Sequence, residues 1–358
     1  MKQVPKAAKA LLVMLFLLLS CSDPVPGLER QDLGYFTLVD REGKIVTMTA
    51  RELDPGDQYI GADNRLYEVK EIRGDQVYLD YLETITLPDV GEMLQTQIGI
   101  SADESKTVGI YHTHNAESYV PSSGTEAKED GKGDVLAVGK ALADALEADG
   151  VQTIWSNNSH LPHDGQAYLR SRRTAAELLK SKPVTLFDVH RDATPPEVYE
   201  AEIEGVPVTK IRLVVGRQNQ NREANLEYAK KIKAVADQQF PGIIEGIFDA
   251  RGNYNQDLGP KMILLEFGAH TNRLEDAEQA ARFLAKVIPA AAGLAKGGGP
   301  AQRETGAAAV KSVVWLLLAV AAVVIVFVLI ERGRLDSLLG FFRREAGLGS
   351  KDDAEPDQ

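Results

Sequence analysis

Three short segments carry most of the side chains that could bind a metal or move protons. They are His-Thr-His-Asn-Ala-Glu at 112–117, Asp-Val-His-Arg-Asp at 188–192 and Leu-Leu-Glu-Phe-Gly at 264–268. Each segment follows or ends a β-branched or aliphatic run, which is typical of a strand. Ligands of open α/β sheets bind beyond the carboxyl ends of the strands. The three segments are therefore predicted to meet at one site that contains imidazoles and carboxylates.

This combination of residues indicates a hydrolytic zinc site. We predict His112, Glu117 and His190 as the protein ligands, because neutral imidazole and carboxylate suit this ion and three ligands leave a position for water. Glu266 closes an apolar strand, where burial would raise its pKa, and is the candidate that passes a proton from that water to the leaving amine. His114 competes with His112, which is preferred because it lies closer to the strand end.

The other histidines have simpler interpretations. His160 and His163 flank Pro162 in a polar loop and are predicted to be solvated. His270 follows the Glu266 strand, where it either lines the cleft or lies in a surface loop.

The acids near the site also have structural alternatives. Asp188 and Asp192 either orient His190 through its second ring nitrogen or form surface pairs with Arg191. Glu266 could instead be a structural carboxylate that is paired with an arginine.

Composition excludes several classes of function. The 358 residues are 44% hydrophobic and 26% charged, as in ordinary globular proteins. A net charge of −12 without a basic, aromatic-rich stretch argues against nucleic acid as a partner. The single cysteine, Cys21, excludes an intramolecular disulfide and a thiolate zinc cluster.

The N-terminal residues 1–21 are predicted to be a signal peptide or membrane anchor. Lysines precede an apolar run that begins at Ala10, which is the pattern of an export signal. Cys21 directly after this run suggests lipoprotein processing, although Leu19 stands where a smaller residue is usual. An uncleaved anchor or a simple signal peptide are the alternatives.

A second apolar segment near the C-terminus is predicted to be a transmembrane helix at 312–330. It has the length that a bilayer span requires and carries no charge. The arginines that follow it predict a cytoplasmic tail at 331–358 and an extracytoplasmic location for the preceding region at the cell membrane. Residues 293–311, rich in Gly and Ala, are predicted to form a flexible linker.

The residues between these segments are predicted to form two domains. Short alternating runs separated by turn residues predict a small, mostly β module at 34–92. Residues 105–292 alternate between strand and helix patterns, which predicts an α/β domain with a central, mostly parallel sheet and flanking helices. The expected helices and strands of this domain are a helix from Asp134 as cap to Gly150, the strand Val151–Trp155, a helix at Ala167–Lys180, the strand Val208–Val215, a helix at Arg222–Gln239, the strands Ile243–Ile247 and 262–267, and a helix from Leu274 to about Ala291.

Four ordered motifs resemble the stage II sporulation protein P family. They read HTHNAESY at 112–119, DVHRDA at 188–193, VVGRQN at 214–219 and LLEFGAHTN at 264–272. The resemblance implies a zinc amidase fold over about 105–292. It also implies a membrane-anchored N-acetylmuramoyl-L-alanine amidase that acts on peptidoglycan in sporulation.

The resemblance also carries over individual residues and a partner. His112, Glu117 and His190 match zinc ligands, Glu266 matches the catalytic glutamate, and Asn219 with Asn272 match motif positions that could face the substrate. The stage II sporulation protein D lytic transglycosylase is the implied partner at the septal membrane. Family members typically have an N-terminal anchor, so the C-terminal span predicted here is a departure.

Two other functions fit the same residues. One is a non-catalytic, peptidoglycan-binding scaffold that keeps a degenerate site. The other is a zinc peptidase that acts on the stem peptide.

Overall fold

A computed structural model describes residues 29–30, 32, 34–91 and 107–294. All of them belong to one compact unit of the chain, Met1–Gly297. The predicted signal or anchor at 1–21, the span at 312–330, the tail at 331–358 and nearly all of the linker lie outside the described residues. Within the described ranges, no helix is long and apolar enough to cross a membrane.

The strands of the described residues fall into two groups along the chain. The first group comes before residue 91 and contains β1 (Phe36–Val39), β2 (Ile45–Thr49), β3 (Gln58–Gly61), β4 (Arg65–Arg73) and β5 (Gln76–Thr84). The second group contains β6 (Thr107–Tyr111), β7 (Gln152–Trp155), β8 (Thr185–Asp192), β9 (Glu200–Ile203), β10 (Val206–Thr209), β11 (Ile211–Gly216), β12 (Ile244–Ala250) and β13 (Met262–Ala269).

The α-helices lie between or after strands of the second group. They are α1 (Val120–Ser123), α2 (Val135–Ala148), α3 (Ala167–Leu179), α4 (Arg222–Gln239) and α5 (Leu274–Ala292). Single 3₁₀ turns occur at Pro196–Val198 and Gln256–Leu258.

Eleven of the described strands form one mixed sheet, in the order β2-β1-β5-β4-β3-β12-β11-β13-β8-β6-β7. In the second group, β12 and β11, β13 and β8, β8 and β6, and β6 and β7 pair in parallel. Within the eleven-stranded sheet, β11 and β13 are the only neighbouring strands of this group that pair antiparallel. The predicted α/β class with a mostly parallel central sheet is confirmed for this part of the molecule.

The predicted β module extends this sheet. Its β3 pairs antiparallel with β12, with Gly246 opposite Gly61. A Cβ on Gly246 would lie 2.5 Å from the Tyr59 ring, so only glycine allows this close crossing. Pairing with β3 covers the backbone groups of β12, which would otherwise form an exposed sheet edge.

Strands β8 and β13 show why the site is buried. Every residue of both strands is buried, as expected for strands with both sheet faces covered. Their polar members, which include His190 and Glu266, are therefore held in the protein interior and must find partners there.

Helix α2 forms where the sequence pattern predicts it, but its predicted capping residue has a different role. Val135, Val138, Leu142 and Leu146 recur at spacings of three and four and are all buried, as expected for the inner face of a helix. Asp134 was predicted to cap this helix, but its carboxylate makes no capping hydrogen bond. It accepts hydrogen bonds from Tyr119 N at 3.1 Å and Lys128 Nζ at 2.5 Å, and so it fixes the preceding loop.

The strand predicted at Val208–Val215 is divided in two. Lys210 separates β10 from β11 and donates its backbone N–H to Tyr199 O at 2.5 Å. Strand β10 pairs with β9 in a separate two-stranded sheet, through a turn at Glu204 and Gly205, which both have positive φ. The apolar run continues across this break, so periodicity alone did not reveal it.

Candidate metal centre and active site

Glu117 lies at the centre of the polar cluster. The loop that follows β6 brings it back toward the sheet, and its side chain is fully buried. Glu117 Oε1 lies 3.2 Å from His114 Nδ1 and 3.2 Å from His190 Nδ1. Its Oε2 accepts the backbone N–H of Arg191 at 2.9 Å. The structure thus brings the first and second predicted segments together around one carboxylate.

The group that could hold a metal ion combines predicted and unpredicted residues. Glu29, His114, Glu117 and His163 each place a ligand atom within 4.8 Å of the others. His163, predicted to be solvated, lies with its ring centroid 4.4 Å from that of His114. His190 lies outside this set but contacts the same Glu117 oxygen.

The donor set fits a zinc ion. Imidazole nitrogens and carboxylate oxygens are its usual ligands besides thiolates. His114 Nε2 is buried and has no hydrogen-bond partner among the described residues, which is costly for a polar atom unless a further group binds there.

His112, the preferred ligand in the sequence prediction, does not join this group. Its Nδ1 lies 3.1 Å from Val189 O, and its Nε2 lies 3.1 Å from Trp155 Nε1, the donor of that bond. Burial lowers the pKa of His112 to about 4, which keeps the ring neutral. Both ring nitrogens are engaged within the protein, so the geometry favours His114 over His112 as a ligand.

Helix α2 is shaped to accept the His112 ring. A Cβ on Gly139 would lie 2.3 Å from His112 Cε1, so glycine in the middle of this helix permits close packing. His160 is also structural: it is buried, its Nδ1 contacts His112 O at 2.8 Å, and its Nε2 contacts Thr174 Oγ1 at 2.8 Å. The prediction that His160 is solvated is wrong.

Asp188 lies beside the third histidine. Its Oδ1 lies 3.0 Å from His190 Nε2 and also accepts Thr113 N at 2.7 Å. The distance is that of an ion pair, but His190 Nε2 makes no hydrogen bond to the described residues. Asp192, the other acid expected to orient His190, contacts Arg212 and Tyr199 instead.

Electrostatics keep the central carboxylate charged. Burial alone would raise the pKa of Glu117, but the nearby His190 and Arg191 hold this pKa well below its ordinary value. An ionised Glu117 is the form that a metal requires.

Glu266 lies beside the centre, on the same face of the sheet. It is the register partner of His190 on the neighbouring strand, and paired residues point to the same side. Tyr199 Oη donates to its Oε2 at 3.1 Å, and Arg51 forms a very short ion pair with its Oε1. Burial raises the pKa of Glu266 above its ordinary value despite the opposing effect of Arg51.

A buried ionic network therefore surrounds Glu266. Arg212 is fully buried and contacts Asp192 at 2.5 Å, Glu245 at 2.7 Å and Glu266 at 3.6 Å. Arg51 and Thr47 reach this network from the β module, so the module helps to build the site.

Replacement of Arg212 by Met is expected to destabilise the protein by about 3–5 kcal/mol, because it leaves buried carboxylates without their guanidinium. Urea denaturation of the full chain measures this loss. An unchanged midpoint would contradict the role of Arg212 as the central cation of the network.

Replacement of Arg51 by Gln is expected to shift the acidic limb of the pH–rate profile upward by about 1–3 pH units. Arg51 lowers the pKa of Glu266, and a nearby opposite charge typically contributes a shift of this size. A base works only when deprotonated, so a higher pKa requires a higher pH for activity. If the acidic limb does not shift in the zinc-loaded variant, Arg51 does not set the pKa of the group that limits activity.

Asn219 and Asn272, predicted to face the substrate, organise their own loops. Asn219 Nδ2 donates to Gly216 O, and its Oδ1 accepts Asn221 N at 2.8 Å. Asn272 Oδ1 accepts Ala269 N at 2.8 Å, while its Nδ2 donates to Pro196 O at 3.2 Å. Both amides are engaged within the protein, so the geometry does not support the predicted substrate contacts.

A cavity of about 160 Å³ opens beside the centre. His114, His163, Arg191 and His270 line it together with Glu29. His270 is the loop residue that was expected either to line the cleft or to lie at the surface, and the cleft position is the observed one.

Several contributors to this site were not predicted from the sequence, among them Glu29 and Arg51. Glu29 and Arg51 are far from the three motifs in sequence and meet in an isolated antiparallel bridge. No local pattern marks either residue, because their positions depend on how the β module folds over the sheet.

Comparison with known proteins identifies the family of this chain. The sequence model of the family "Stage II sporulation protein P" matches residues 57–289. The stage II sporulation protein P of Bacillus subtilis (strain 168) is 32% identical over 203 residues, which are 52% of this chain and 51% of that protein. The chain thus matches about half the length of this curated relative.

Solved structures of amidases show weaker likenesses. An N-acetylmuramoyl-L-alanine amidase of Nostoc punctiforme has a TM-score of 0.34 and 17% identity, covering 52% of this chain and 96% of that chain. The amidase Ami1 of Mycobacterium smegmatis has a TM-score of 0.37 and 14% identity, with the same coverage. Such TM-scores do not establish a common fold, so the assignment rests on the family match over more than half of the sequence. The chain belongs to the stage II sporulation protein P family.

Proposed function

We propose that this protein is a zinc-dependent peptidoglycan hydrolase that cleaves the amide between N-acetylmuramic acid and the L-alanine of the stem peptide. The observation that carries the proposal is the placement of His114 and His190 on the same oxygen of the buried Glu117. Family membership and the resemblance of the four motifs support the amide as the bond that is cut and sporulation as the process.

The proposed zinc ligands are His114, Glu117 and His190, with His163 close enough to contribute. His114 replaces His112 in this assignment because both nitrogens of His112 are engaged. When bound, the ion would supply Lewis acidity that polarises the scissile carbonyl and acidifies water.

The protein's own residues would do the remaining work. Asp188, 3.0 Å from His190 Nε2, would stabilise the position of that ring by charge. Burial raises the pKa of Glu266. Its carboxylate would accept the proton of the attacking water and deliver it to the departing amine nitrogen. Tyr199 and Arg51 hold the Glu266 carboxylate in place on its two oxygens.

The cellular location and partners are part of the same proposal. The basic residues after the predicted span at 312–330 support a cytoplasmic tail and an extracytoplasmic catalytic region on a Gly/Ala-rich linker. An enzyme tethered in this way would meet peptidoglycan directly. The resemblance to the family further suggests that it works with the sporulation protein D lytic transglycosylase.

Metal analysis combined with a sacculus assay tests this function. The purified full chain is expected to retain about one zinc ion per molecule after dialysis and to release stem peptides from sacculi. A chelator should abolish the release, and added zinc should restore it. Clearly substoichiometric zinc in a folded, wall-binding protein would instead support the non-catalytic scaffold.

A further inference from the structure

Arg191 is a buried cation with unused hydrogen-bonding capacity. It is 3% exposed and lines the cavity beside His114. Its Nη2 donates to Glu126 O at 3.1 Å, but its Nε and Nη1 are buried and have no hydrogen-bond partner among the described residues. Unpaired buried donors of this kind are costly, so they indicate a group that binds there during function.

The nearest acid identifies the chemistry of that group. Glu29 Oε2 lies 3.9 Å from Arg191 Nη1, and Glu29 Oε1 lies 3.9 Å from His114 Nδ1. The Glu29 carboxylate therefore lies between Arg191 and His114. Its two oxygens mark where the oxygens of a substrate oxyanion could lie.

The position of Glu29 is built into the fold. The adjacent Arg30 donates its backbone N–H to Ala50 O at 2.8 Å, and its guanidinium pairs with Asp32 and Asp75, each at 2.6 Å. The same guanidinium stacks on the Phe36 ring at 4.5 Å. Glu29 is thus held over the cavity by an anchored backbone.

We propose that Arg191 binds the oxyanion of the substrate at this site. The Glu29 carboxylate occupies the oxyanion position until substrate displaces it. This inference rests on the proposed amidase function. Arg191 provides donors to the substrate's oxygen, and Glu29 makes the enzyme partly self-inhibited.

The reaction places a specific demand on Arg191. A water oxygen bonds to the carbonyl carbon of the lactyl amide, and the π electron pair of the C=O bond moves onto the carbonyl oxygen. Arg191 donates hydrogen bonds to this developing oxyanion, which stabilises it most when the charge is greatest. The pair then re-forms the C=O bond as the C–N bond breaks, and the amine nitrogen takes the proton that water lost to Glu266.

Kinetics of the zinc-loaded full chain test both parts. Arg191→Gln is expected to lower kcat by about 100-fold, the usual effect of removing one oxyanion donor, with a smaller change in KM. Glu29→Gln is expected to raise kcat/KM about fivefold through a lower KM, since a competitor reduces affinity by the fraction of sites it occupies. In the Arg191→Gln background, Glu29→Gln should have little effect.

A binding measurement gives a readout that is independent of turnover. In zinc-free protein, ¹³C-labelled acetate followed by NMR should bind Glu29→Gln and should not bind the Arg191→Gln/Glu29→Gln double variant. Arg191→Lys, which keeps the positive charge, covers the case in which Arg191→Gln fails to fold. Arg282→Gln, an exposed replacement on α5, is the matched control and should behave as wild type.

The outcomes separate this inference from the proposed function. Active wild-type enzyme with unchanged kcat in Arg191→Gln, or equal acetate binding in both variants, would overturn the inference alone. A folded, zinc-loaded wild type that cleaves no muramoyl amide would overturn the proposed function itself.

Discussion

Glu266→Gln is expected to abolish stem-peptide release while zinc remains bound. Loss of a proton-transfer group typically lowers the rate by about 10²–10⁴-fold, and glutamine cannot accept the proton of the attacking water. Among the described residues, Glu266 forms hydrogen bonds or ion pairs with Arg51, Tyr199 and Arg212, and none with the proposed ligands His114, Glu117 and His190. Metal binding and catalysis should therefore separate in this variant.

The charges around Glu266 explain why the variant should fold. The network contains the carboxylates of Asp192, Glu245 and Glu266 and the guanidiniums of Arg51 and Arg212. Removing one negative charge leaves two of each sign, so no net charge is buried. Glu278→Gln, on the surface of α5, is the matched control and should retain full activity. Undiminished turnover in Glu266→Gln would remove Glu266 from the mechanism.

His114→Ala is expected to lose zinc, whereas His112→Ala is expected to keep it. His114→Ala should lower zinc affinity by more than about 100-fold, because even loss of a residue outside the ligand shell costs about 10- to 100-fold. Activity should disappear with the metal.

His112→Ala should keep its zinc but lose stability. The change empties a site packed against Gly139 and removes the acceptor of the Trp155 indole N–H. A cavity plus an unpaired donor costs about 2–4 kcal/mol. Zinc content by atomic absorption and denaturation of both zinc-free variants measure the two effects. Zinc loss in His112→Ala with full retention in His114→Ala would restore the original sequence assignment.

Sequence patterns predicted the parts of this molecule that depend on local order. The apolar periodicity of α2 and the aliphatic run of β13 follow directly from burial, so these elements were predicted close to their observed bounds. The three strand-end motifs likewise contain Glu117, His190 and Glu266, which the structure places close together.

The remaining features depend on long-range geometry. His112 and His114 lie two residues apart after the same strand, so the sequence does not distinguish them. The contacts of the His112 ring with Val189 O and Trp155 Nε1 do so. The β module continues the sheet through the β3–β12 pair. Glu29 and Arg51, which form a bridge with each other, reach the site because part of the module also packs against the central strands. No motif near either residue could show this.

Mass analysis of peptidoglycan digested by the zinc-loaded full chain is the most direct test of the central claim. An amidase should yield stem peptides with a free L-alanine amino terminus, together with glycan whose muramic acid carries a free lactyl carboxyl group. Glu266→Gln should yield neither product. Cleavage within the stem peptide, with the muramoyl amide intact, would contradict the claim and indicate a peptidase.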